Sequence, residues 1–410
     1  MSAPLSPISN ANSNQTTSRT ALRFVLLIGV ISFFADFTYE GARGILGQYM
    51  ASLGAGAATI SIVTGFGALL GYALRLVSGR EADRTRKFWP ITIFGYFVQL
   101  LAVPALALAG NWPVAAALVF AERTGKATRN PPRDAMLSHA ATEIGGYGWV
   151  FGIHEAFDQG GAMVGPLAVA GVLALHHSYR FAFASLLIPA VLSLALVLIA
   201  RYVYPTPESF EQPTEPVYRT QSERMPNAFW LYMVGAGLVA AGFTDFPLMA
   251  FHFQHIHQLR AEWIPLMYAM AMGVSGAGSL LFGHLFDRFG LKVIVALTLC
   301  CAAFAPLVFL CGVPGIICGV CLWALGMGVH ESVIPAAVAP MVSPARRASA
   351  YGLFTAAYGI AWFLGSVVIG LLYDHSIPAM VAFCIVAELI AIPFFLMTTH
   401  NQPINARNQH

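Results

Sequence analysis

Long apolar runs constrain this chain more than any other feature of its sequence. Twelve such runs start near positions 22, 56, 88, 113, 146, 179, 227, 262, 291, 314, 347 and 377. Each is about 20 residues or longer, enough to cross a ~30 Å hydrocarbon layer as an α-helix. Of the 410 residues, 57% are hydrophobic and only 10% are charged, whereas a soluble domain carries roughly 25% charged residues. The sequence therefore predicts an all-α integral membrane protein with twelve transmembrane helices.

A short charged segment occurs twice, each time between two apolar runs, as Gly79–Lys87 and Gly283–Lys292. Phe34–Phe37 in the first run likewise resembles Phe243–Phe246 in the seventh run, each with an Asp as its third residue. This duplication predicts two related bundles of six helices. Such bundles suit a secondary transporter, because they can rock about a site at the midplane and open it to either side.

The chain divides near its middle at a proline-rich acidic segment, which is too polar to bury a core of its own. We therefore expect five regions. They are a disordered tail at 1–20, a first bundle at 21–203, a cytoplasmic linker at 204–226, a second bundle at 227–399 and a tail at 400–410.

The positive charges predict an orientation, since short cytoplasmic loops carry the excess of Lys and Arg. Nearly all loop Lys and Arg residues lie in the tails or after even-numbered helices, and only Arg180 and Arg260 lie in loops on the other side. Both termini are therefore expected in the cytoplasm, with the chain in a bacterial inner (cytoplasmic) membrane. Each pair of bundles would contain a complete path, so a monomer is expected, and no element of nucleic-acid recognition is present.

The second charged segment resembles the loop signature of the major facilitator superfamily of secondary transporters, Gly-x-Leu-x-Asp-Arg-x-Gly-Arg-Lys between helices two and three. The matching residues are Gly283, Leu285, Asp287, Arg288, Gly290 and Lys292. The first segment departs from the signature, because Glu81 replaces the Leu and Arg86 replaces the Gly. Another residue is therefore expected to make the tight turn there. The resemblance implies the two-bundle fold and leaves the substrate open.

An Asp at the end of a helix can bond to a neighbouring helix N-terminus or an Arg and so stabilise one closed state. We expect this gating role for Asp83 and Asp287, with Arg84 and Arg288 beside them. The alternative is that the segment serves only as a positive anchor on the cytoplasmic side.

Gly161, Gly165 and Pro166 in the fifth helix resemble the antiporter-associated motif of the same superfamily, although Val169 stands where that motif has Gly. Glycines four residues apart let two helices approach closely, and the proline lets the helix bend where the halves meet. The resemblance implies gating and export by antiport. The alternative is close helix packing with no bearing on direction.

Ionisable side chains lie in three helices of the first half, where lipid disfavours them. An unpaired charge at the bilayer centre costs roughly 2.5–3.5 kcal/mol, and spacings of three and four residues place most of these groups on one face of each helix. We therefore expect a polar cavity in which they face one another or water. They are Asp36, Glu40 and Arg43 in the first helix, Glu122, Arg123, Lys126 and Arg129 in the fourth, and His154, Glu155 and Asp158 in the fifth.

The residue types predict two roles. Buried carboxyl groups can bind and release a proton during transport, whereas Arg and Lys can hold a carboxylate or phosphate, so the expected solute is anionic or zwitterionic. The expected proton carriers are Asp36, Glu40, Glu122, Glu155 and Asp158. The expected substrate-binding residues are Arg43, Arg123, Lys126, Arg129, His154, Asp245, His252, His330 and Glu331. Static salt bridges that hold the bundle shut are the alternative.

Three further features remain open. His252, His255 and His257 at the outer end of the seventh helix raise metal uptake as an alternative. The six cysteines have no zinc-ligand spacing, so no resident metal and no cofactor are expected. Glu388 in the last helix has no obvious partner.

The sequence thus predicts a proton-coupled secondary transporter for a small organic solute, with efflux by antiport favoured. The alternative is a proton-coupled uptake symporter for an organic anion, an amino acid or a metal-chelating metabolite. An integral membrane enzyme is a remote alternative, because no nucleophile elbow, metal signature or nucleotide loop accompanies the charges. The expected partners are the substrate, protons and the lipid bilayer.

Overall fold

The computed structural model describes residues 8–141, 144, 147–207, 225–330, 334, 337–338, 341–342 and 347–400. Within these residues the backbone forms twelve helices that correspond to the twelve apolar runs. Those of the first half are α1 (Ile8–Ser52), α2 (Ala57–Thr85), α3 (Phe88–Ala105), α4 (Trp112–Ala141), α5 (Tyr147–His176) and α6 (Tyr179–Ser185 and Leu187–Val203). Those of the second half are α7 (Asn227–Gly242 and Phe246–His255), α8 (Trp263–Phe289), α9 (Leu291–Cys301 and Phe304–Leu310), α10 (Val313–Gly328), α11 (Arg347–His375) and α12 (Ile377–His400).

The predicted all-α membrane fold is confirmed. Of the helices in the described ranges, 10 are long and apolar enough to cross a membrane. The two others are α4, which carries several charged residues, and α10, which is apolar but shorter within these ranges.

The segment boundaries differ from the prediction at the N-terminus. α1 already begins at Ile8, so helix covers most of the segment 1–20 that the sequence assigns to a disordered tail, because no Gly or Pro interrupts the chain between Pro7 and the first apolar run. The candidate span itself starts at Ser18. Residues 208–224 of the linker and 401–410 of the C-terminal tail lie outside the described residues, so these regions stay predictions.

α7 is interrupted near its middle, and the interruption positions a candidate site residue. Phe243 and Asp245 have extended backbone conformations, and Pro247 stands in the first turn of the second helical segment. Proline lacks the N–H that would continue the helix, so the break is written into the sequence. Trp323 Nε1 donates a hydrogen bond of 2.8 Å to the freed carbonyl of Thr244. Asp245 therefore begins a helical segment in the interior of the bundle.

The first half has a divided apolar core. We call the end where α1 begins and α12 ends the proximal end, and the opposite end the distal end. One cluster of buried side chains, including Phe24, Trp89 and Met136, fills the proximal part, and another, including Ile45 and Leu173, fills the distal part. Because the clusters are separate, a layer remains between them, and it holds the charged residues of α1, α4 and α5.

The second half has one continuous apolar core, which includes Phe243, Trp323 and Phe395. The two halves meet where α2 packs along α11, α5 along α8 and α1 against the second segment of α7. Contact is tightest at the distal end, where a Cβ on Gly47 would overlap the carbonyl of Pro247. The halves are thus closed on each other at the distal end.

Candidate functional site

A cavity of about 670 Å³ lies between the halves at the level of the charged layer. Its wall extends from Arg43, next to the distal contact, to Arg133 and Gly152 toward the proximal end. The structure therefore brings most of the predicted site residues to one space. The charged side chains that line it are Asp36, Glu40, Arg43, Arg75, Arg123, Lys126, Arg129, Arg133, Glu155, Asp158 and Asp245.

Arg129 links α4 to two neighbouring helices and is only 1% exposed. Its Nε donates to Gln99 Oε1 at 2.5 Å, its Nη1 to Tyr96 OH at 3.1 Å and its Nη2 to Asp36 Oδ1 at 3.3 Å. Lys126 Nζ lies 3.6 Å from the same Asp36 oxygen. Since the guanidinium of Arg129 is committed to these partners, we assign it to holding α1, α3 and α4 together.

Two glycines make this arrangement possible. A Cβ on Gly125 of α4 would overlap the backbone of Gln99 and the carbonyl of Gly95 on α3. The two helices can therefore approach closely, which brings Arg129, one turn after Gly125, within reach of the polar side chains of α3.

Two cations, Lys126 and Arg123, lie over the ring of Tyr39. Lys126 Nζ lies 3.8 Å and the Arg123 guanidinium 5.1 Å from the ring centroid, distances at which cation–π attraction operates. Arg123 Nε is 3.6 Å from Glu122 Oε2, and Glu122 Oε1 is buried with no hydrogen-bond partner among the described residues. Glu122 lies behind Arg123 and does not line the cavity.

Asp158 stands at the cavity end of a hydrogen-bonded row. Asp158 Oδ2 is 3.3 Å from His154 Nδ1, and His154 Nε2 is 2.8 Å from Ser32 Oγ. Arg133 Nη1 donates to the same Ser32 oxygen at 3.3 Å and Nη2 donates to Asp134 Oδ1 at 2.8 Å. Because Arg133 supplies the hydrogen to Ser32 Oγ, the hydroxyl hydrogen is free to point at His154 Nε2, which leaves the hydrogen of His154 on Nδ1, facing Asp158.

Two side chains of the second half, Tyr268 and Asp245, bond to the charges of α1, and Trp362 of the second half supports Asp245. Tyr268 OH donates to Glu40 Oε2 at 2.5 Å, Arg43 Nη2 donates to Asp245 Oδ1 at 3.3 Å, and Trp362 Nε1 donates to Asp245 Oδ2 at 3.2 Å. Arg43 Nη1 also lies 3.8 Å from Glu40. These contacts join the two halves on the distal side of the cavity. Glu40, Arg43 and Asp245 were predicted site residues, but their pairing and the role of Tyr268 were not predicted.

The predicted histidines occupy three different places. His330 lines the cavity and pairs through Nδ1 with Tyr358 OH at 2.5 Å. His154 is buried behind the wall, in contact with Asp158. His252 lies in the distal part of α7, bonded at 2.8 Å to Tyr373 OH, and does not line the cavity. Only His330 is therefore placed to touch a solute in the cavity.

Glu155 and Arg75 complete the cavity wall. Glu155 is exposed to the cavity and accepts a hydrogen bond of 2.9 Å from Gln159 Nε2. Arg75 on α2 is exposed, and its guanidinium lies 5.8 Å from the centroid of the Tyr72 ring. The sequence analysis missed Arg75, although a basic residue inside an apolar run was the available signal. Glu331 lies outside the described residues.

Each charged segment has a turn residue with positive φ, but the two turns differ in ψ, which is 20° at Arg86 and −144° at Gly290. Arg86 adopts φ 55° and ψ 20°, a left-handed conformation, and its N–H bonds to the carbonyl of Ala82. Gly290, at the matching position, has φ 61°. The expectation that another residue makes the first turn is therefore wrong, since Arg86 itself takes the positive φ. Arg84 and Arg288 are exposed, and the side chains of Asp83 and Asp287 lie outside the described part of the chain.

The glycines of α5 face α1 of the same half. A Cβ on Gly161 would overlap the carbonyl of Phe33, and one on Gly165 would overlap that of Phe37. The predicted close approach of two helices is confirmed. The same helix also packs along α8, where the halves meet, and the gating and antiport roles of Gly161, Gly165 and Pro166 stay predictions.

The distal histidines show no metal-binding geometry. His255 and His257 border a small distal groove together with Phe251 and Gln254. Within the described ranges, no group of three or more His, Cys, Asp or Glu side chains is close enough to hold a metal ion.

Comparisons with known proteins agree with this architecture. An uncharacterized protein of Mycobacterium tuberculosis is 41% identical over 377 residues, which cover 91% of this chain and 92% of that protein. The structure of a bacterial homologue of the human lysosomal transporter Spinster, inward-facing and unoccupied, matches with a TM-score of 0.72 at 14% identity, covering 93% of this chain and 97% of that one. The peptide transporter POT in complex with sulfate matches with a TM-score of 0.73 at 14% identity, covering 94% and 95%.

The structural neighbours share the fold at low identity, and the family assignment comes from the sequence match. The family model described as Major Facilitator Superfamily matches residues 26–339, most of the chain, including the first bundle and both charged segments. The chain is therefore a multi-pass membrane protein that belongs to the Major Facilitator Superfamily of transporters.

Proposed function

We propose that the protein is a proton-coupled secondary transporter that moves a small anionic or zwitterionic organic solute across a bacterial cytoplasmic membrane. The observation that carries this proposal is the juxtaposition of carboxylates and cations in one cavity between the halves. Asp158 and Glu155 lie on its α5 side, while Arg123 and Lys126 lie on its α4 side. A proton and a solute anion would therefore share one space and influence each other's binding.

Asp158 is the carboxylate best placed to carry the proton. One of its oxygens faces His154, whereas Oδ1 has no hydrogen-bond partner in the described part of the chain. The residue also lines the cavity. Because Oδ1 is buried and unpartnered among the described residues, a proton can bind it without breaking the contact with His154. Asp36 and Glu40, by contrast, are held by Arg129 and Tyr268.

The sign of the coupling follows from charge. A proton on Asp158 removes a negative charge from the cavity and so favours an anion there. For an anionic solute, proton and solute then bind together, which corresponds to symport. Efflux by antiport is the second candidate, and it rests on the resemblance of Gly161, Gly165 and Pro166 to the antiporter-associated motif.

Orientation and assembly complete the proposal. The positive charges of the tails and of the proximal loops support a cytoplasmic location for the proximal end and both termini. The cavity extends toward that end, so it would receive solute from or release it to the cytoplasm. Since one chain contains the whole cavity, a monomer suffices for transport.

The test compares Asp158→Asn with Glu388→Gln in proteoliposomes that contain a pH-sensitive dye. Glu388 is a matched control because it is a buried carboxyl group outside the cavity. A panel of organic anions is added outside, and the internal pH is followed. Wild type and Glu388→Gln should couple proton flux to solute flux. Asp158→Asn should lose this coupling but keep exchange of labelled for unlabelled solute.

The direction of the pH change separates the two candidates. Internal acidification on solute entry supports symport, and internal alkalinisation supports antiport. Proton-coupled transport that persists at the wild-type rate in Asp158→Asn would remove Asp158 as the carrier and favour a static role for its contact with His154.

A further inference from the structure

Three of the six cations that line the cavity are already used within the protein. Arg43, Arg129 and Arg133 each donate a hydrogen bond to a carboxylate. The three others are Arg75, Arg123 and Lys126, and none of them donates such a bond to a carboxylate among the described residues. These side chains retain donors that a solute can use.

The three available cations surround an open space between α2 and α4. Gly67, Gly71 and Arg75 are four residues apart and therefore share one face of α2. A Cβ on Gly67 would lie 3.1 Å from Arg123 Cγ, whereas a Cβ on Gly71 would meet nothing within 4 Å. The space beside Gly71 is thus bordered by Arg123 one turn away and by Arg75 in the other direction. We call Gly71, Arg75, Arg123 and Lys126 the α2–α4 subsite.

The α2–α4 subsite holds more positive than negative charge. Its nearest carboxylates are Asp36, at 3.6 Å from Lys126, and Glu122, at 3.6 Å from Arg123. Asp36 is shared with Arg129, which approaches it more closely, at 3.3 Å. A cation excess in a partly desolvated site is compensated best by an anion with several acceptor oxygens.

The facing wall, from the second half, is mostly apolar. It includes Met272, Leu280, Met327 and Trp362. Asp245 is the carboxylate that the described residues of this half contribute to the lining, and it already pairs with Arg43. The cavity volume of about 670 Å³ falls within the range of about 300–1,000 Å³ that is typical of small-molecule sites. A ring or short chain can therefore lie against this wall.

We infer that the substrate is a small amphipathic organic anion, with its carboxylate or phosphate in the α2–α4 subsite and its apolar body against Met272, Met327 and Trp362. This inference deepens the proposed transport function and relies on it for physiological meaning. The binding step, however, is measurable without transport and without a proton gradient.

The test uses four probes on purified protein in detergent, with the thermal midpoint followed against probe concentration. Phenylacetate, phenylacetamide and phenethylamine share a ring and carry negative, neutral and positive charge, and acetate lacks the ring. Ligand binding stabilises the folded state by RT ln(1 + L/Kd), where L is the free ligand concentration, so a tighter ligand raises the midpoint more at the same concentration. Phenylacetate should give the tightest apparent binding of the four.

Two substitutions address the subsite. Arg75→Gln should weaken phenylacetate binding about 10- to 150-fold, the loss of one charge-assisted hydrogen bond, and Gly71→Leu should abolish binding by filling the space. Gly171→Leu is the control, because a Cβ on Gly171 of α5 meets nothing within 4 Å and the residue does not line the cavity. It should bind phenylacetate like wild type.

Several outcomes would overturn the inference. They are equal binding of the amide or amine, equal binding of acetate, wild-type binding by both subsite variants, and no saturable binding of phenylacetate. The proposed coupling fails separately. If phenylacetate binds through the subsite while Asp158→Asn still couples protons, the subsite stands and the carrier assignment falls, and the reverse pattern removes the subsite alone.

Discussion

Replacing Asp245 by Asn is expected to open the distal end of the protein. Asp245 belongs to α7 of the second half, and its Oδ1 accepts a hydrogen bond from Arg43 on α1 of the first half. Its Oδ2 accepts one from Trp362. The substitution keeps the shape of the side chain and an oxygen for Trp362, but removes the charge that holds Arg43.

The expected magnitude follows from the contact distance. Two unit charges 3.3 Å apart attract by about 5 kcal/mol at an effective dielectric constant of about 20. Desolvation of both groups offsets much of this attraction, and a hydrogen bond to a charged group contributes a net of about 1.5–3 kcal/mol. Arg43 retains Glu40 at 3.8 Å, which limits the penalty in the variant. If this pair separates when the distal end opens, the equilibrium should shift about 10- to 150-fold.

The shift can be measured as a distance between two spin labels. Gly110 and Gly312 lie in distal loops of opposite halves, and a Cβ on either meets nothing within 4 Å. Labels at cysteines introduced there, in a background without the six native cysteines, report the distal separation by double electron–electron resonance. Asp245→Asn should add a longer-distance population.

Asp134→Asn is the matched control for this measurement. It removes a carboxylate 2.8 Å from Arg133, but both residues belong to α4, so the pair does not join the halves. An unchanged distance distribution in Asp245→Asn, or an equal shift in Asp134→Asn, would refute the assignment of the Arg43–Asp245 pair as a distal tie.

Three further variants test the packing of the bundles by thermal unfolding in detergent. Gly161→Ala should destabilise the folded protein, because its Cβ overlaps the Phe33 carbonyl and overpacking costs about 1–3 kcal/mol. Gly171→Ala is the control and should not destabilise it, because a Cβ there meets nothing within 4 Å. Equal effects of the two substitutions would contradict this explanation. Arg129→Gln should destabilise by less than the about 3–5 kcal/mol of a fully broken buried pair, because Asp36 loses its closer partner but keeps Lys126 at 3.6 Å, and a wild-type midpoint would refute this. Glu388→Leu should raise the midpoint, since both carboxylate oxygens are buried without a hydrogen-bond partner in the described residues and such groups cost about 1–3 kcal/mol; a lower midpoint would show that Glu388 has a role of its own.

Much of the fold was predictable because membrane physics leaves few choices. Apolar runs of sufficient length predict the helices, and the repeated segments predict two bundles. Helical periodicity also placed Asp36 and Lys126 on faces that meet. The same reasoning could not tell which cations are free to bind a solute and which are already bonded within the protein. The difference between Arg123 and Arg129 depends on Gln99 and Tyr96 of α3, which bond to Arg129. These two side chains are uncharged, so the sequence does not single them out.

Depth and neighbourhood explain the residues that sequence reasoning placed differently. Periodicity gives the face of a helix but not the distance of a residue from the cavity, so His252 and His330 looked equivalent although only His330 lines the cavity. Arg75 was not among the predicted site residues. Arg75 reaches the cavity because Gly71, four residues earlier, is a glycine and has no side chain to fill the space, and because of the position of α4.

The contacts between the halves could not be predicted from the sequence at all. Partners such as Tyr268 for Glu40 are set by the rotation of one rigid bundle relative to the other, and a transporter must adopt more than one such rotation. The divided core of the first half indicates which bundle responds first to a change of charge in the cavity. Its proximal and distal apolar clusters are separated by the charged layer, so polar contacts such as those of Arg129 and His154 hold that bundle together across the gap. In the part of the second half that the structure describes, the core is continuous and no such layer divides it. A change of protonation or solute should therefore act first on the first bundle and reach the second through Glu40–Tyr268 and Arg43–Asp245.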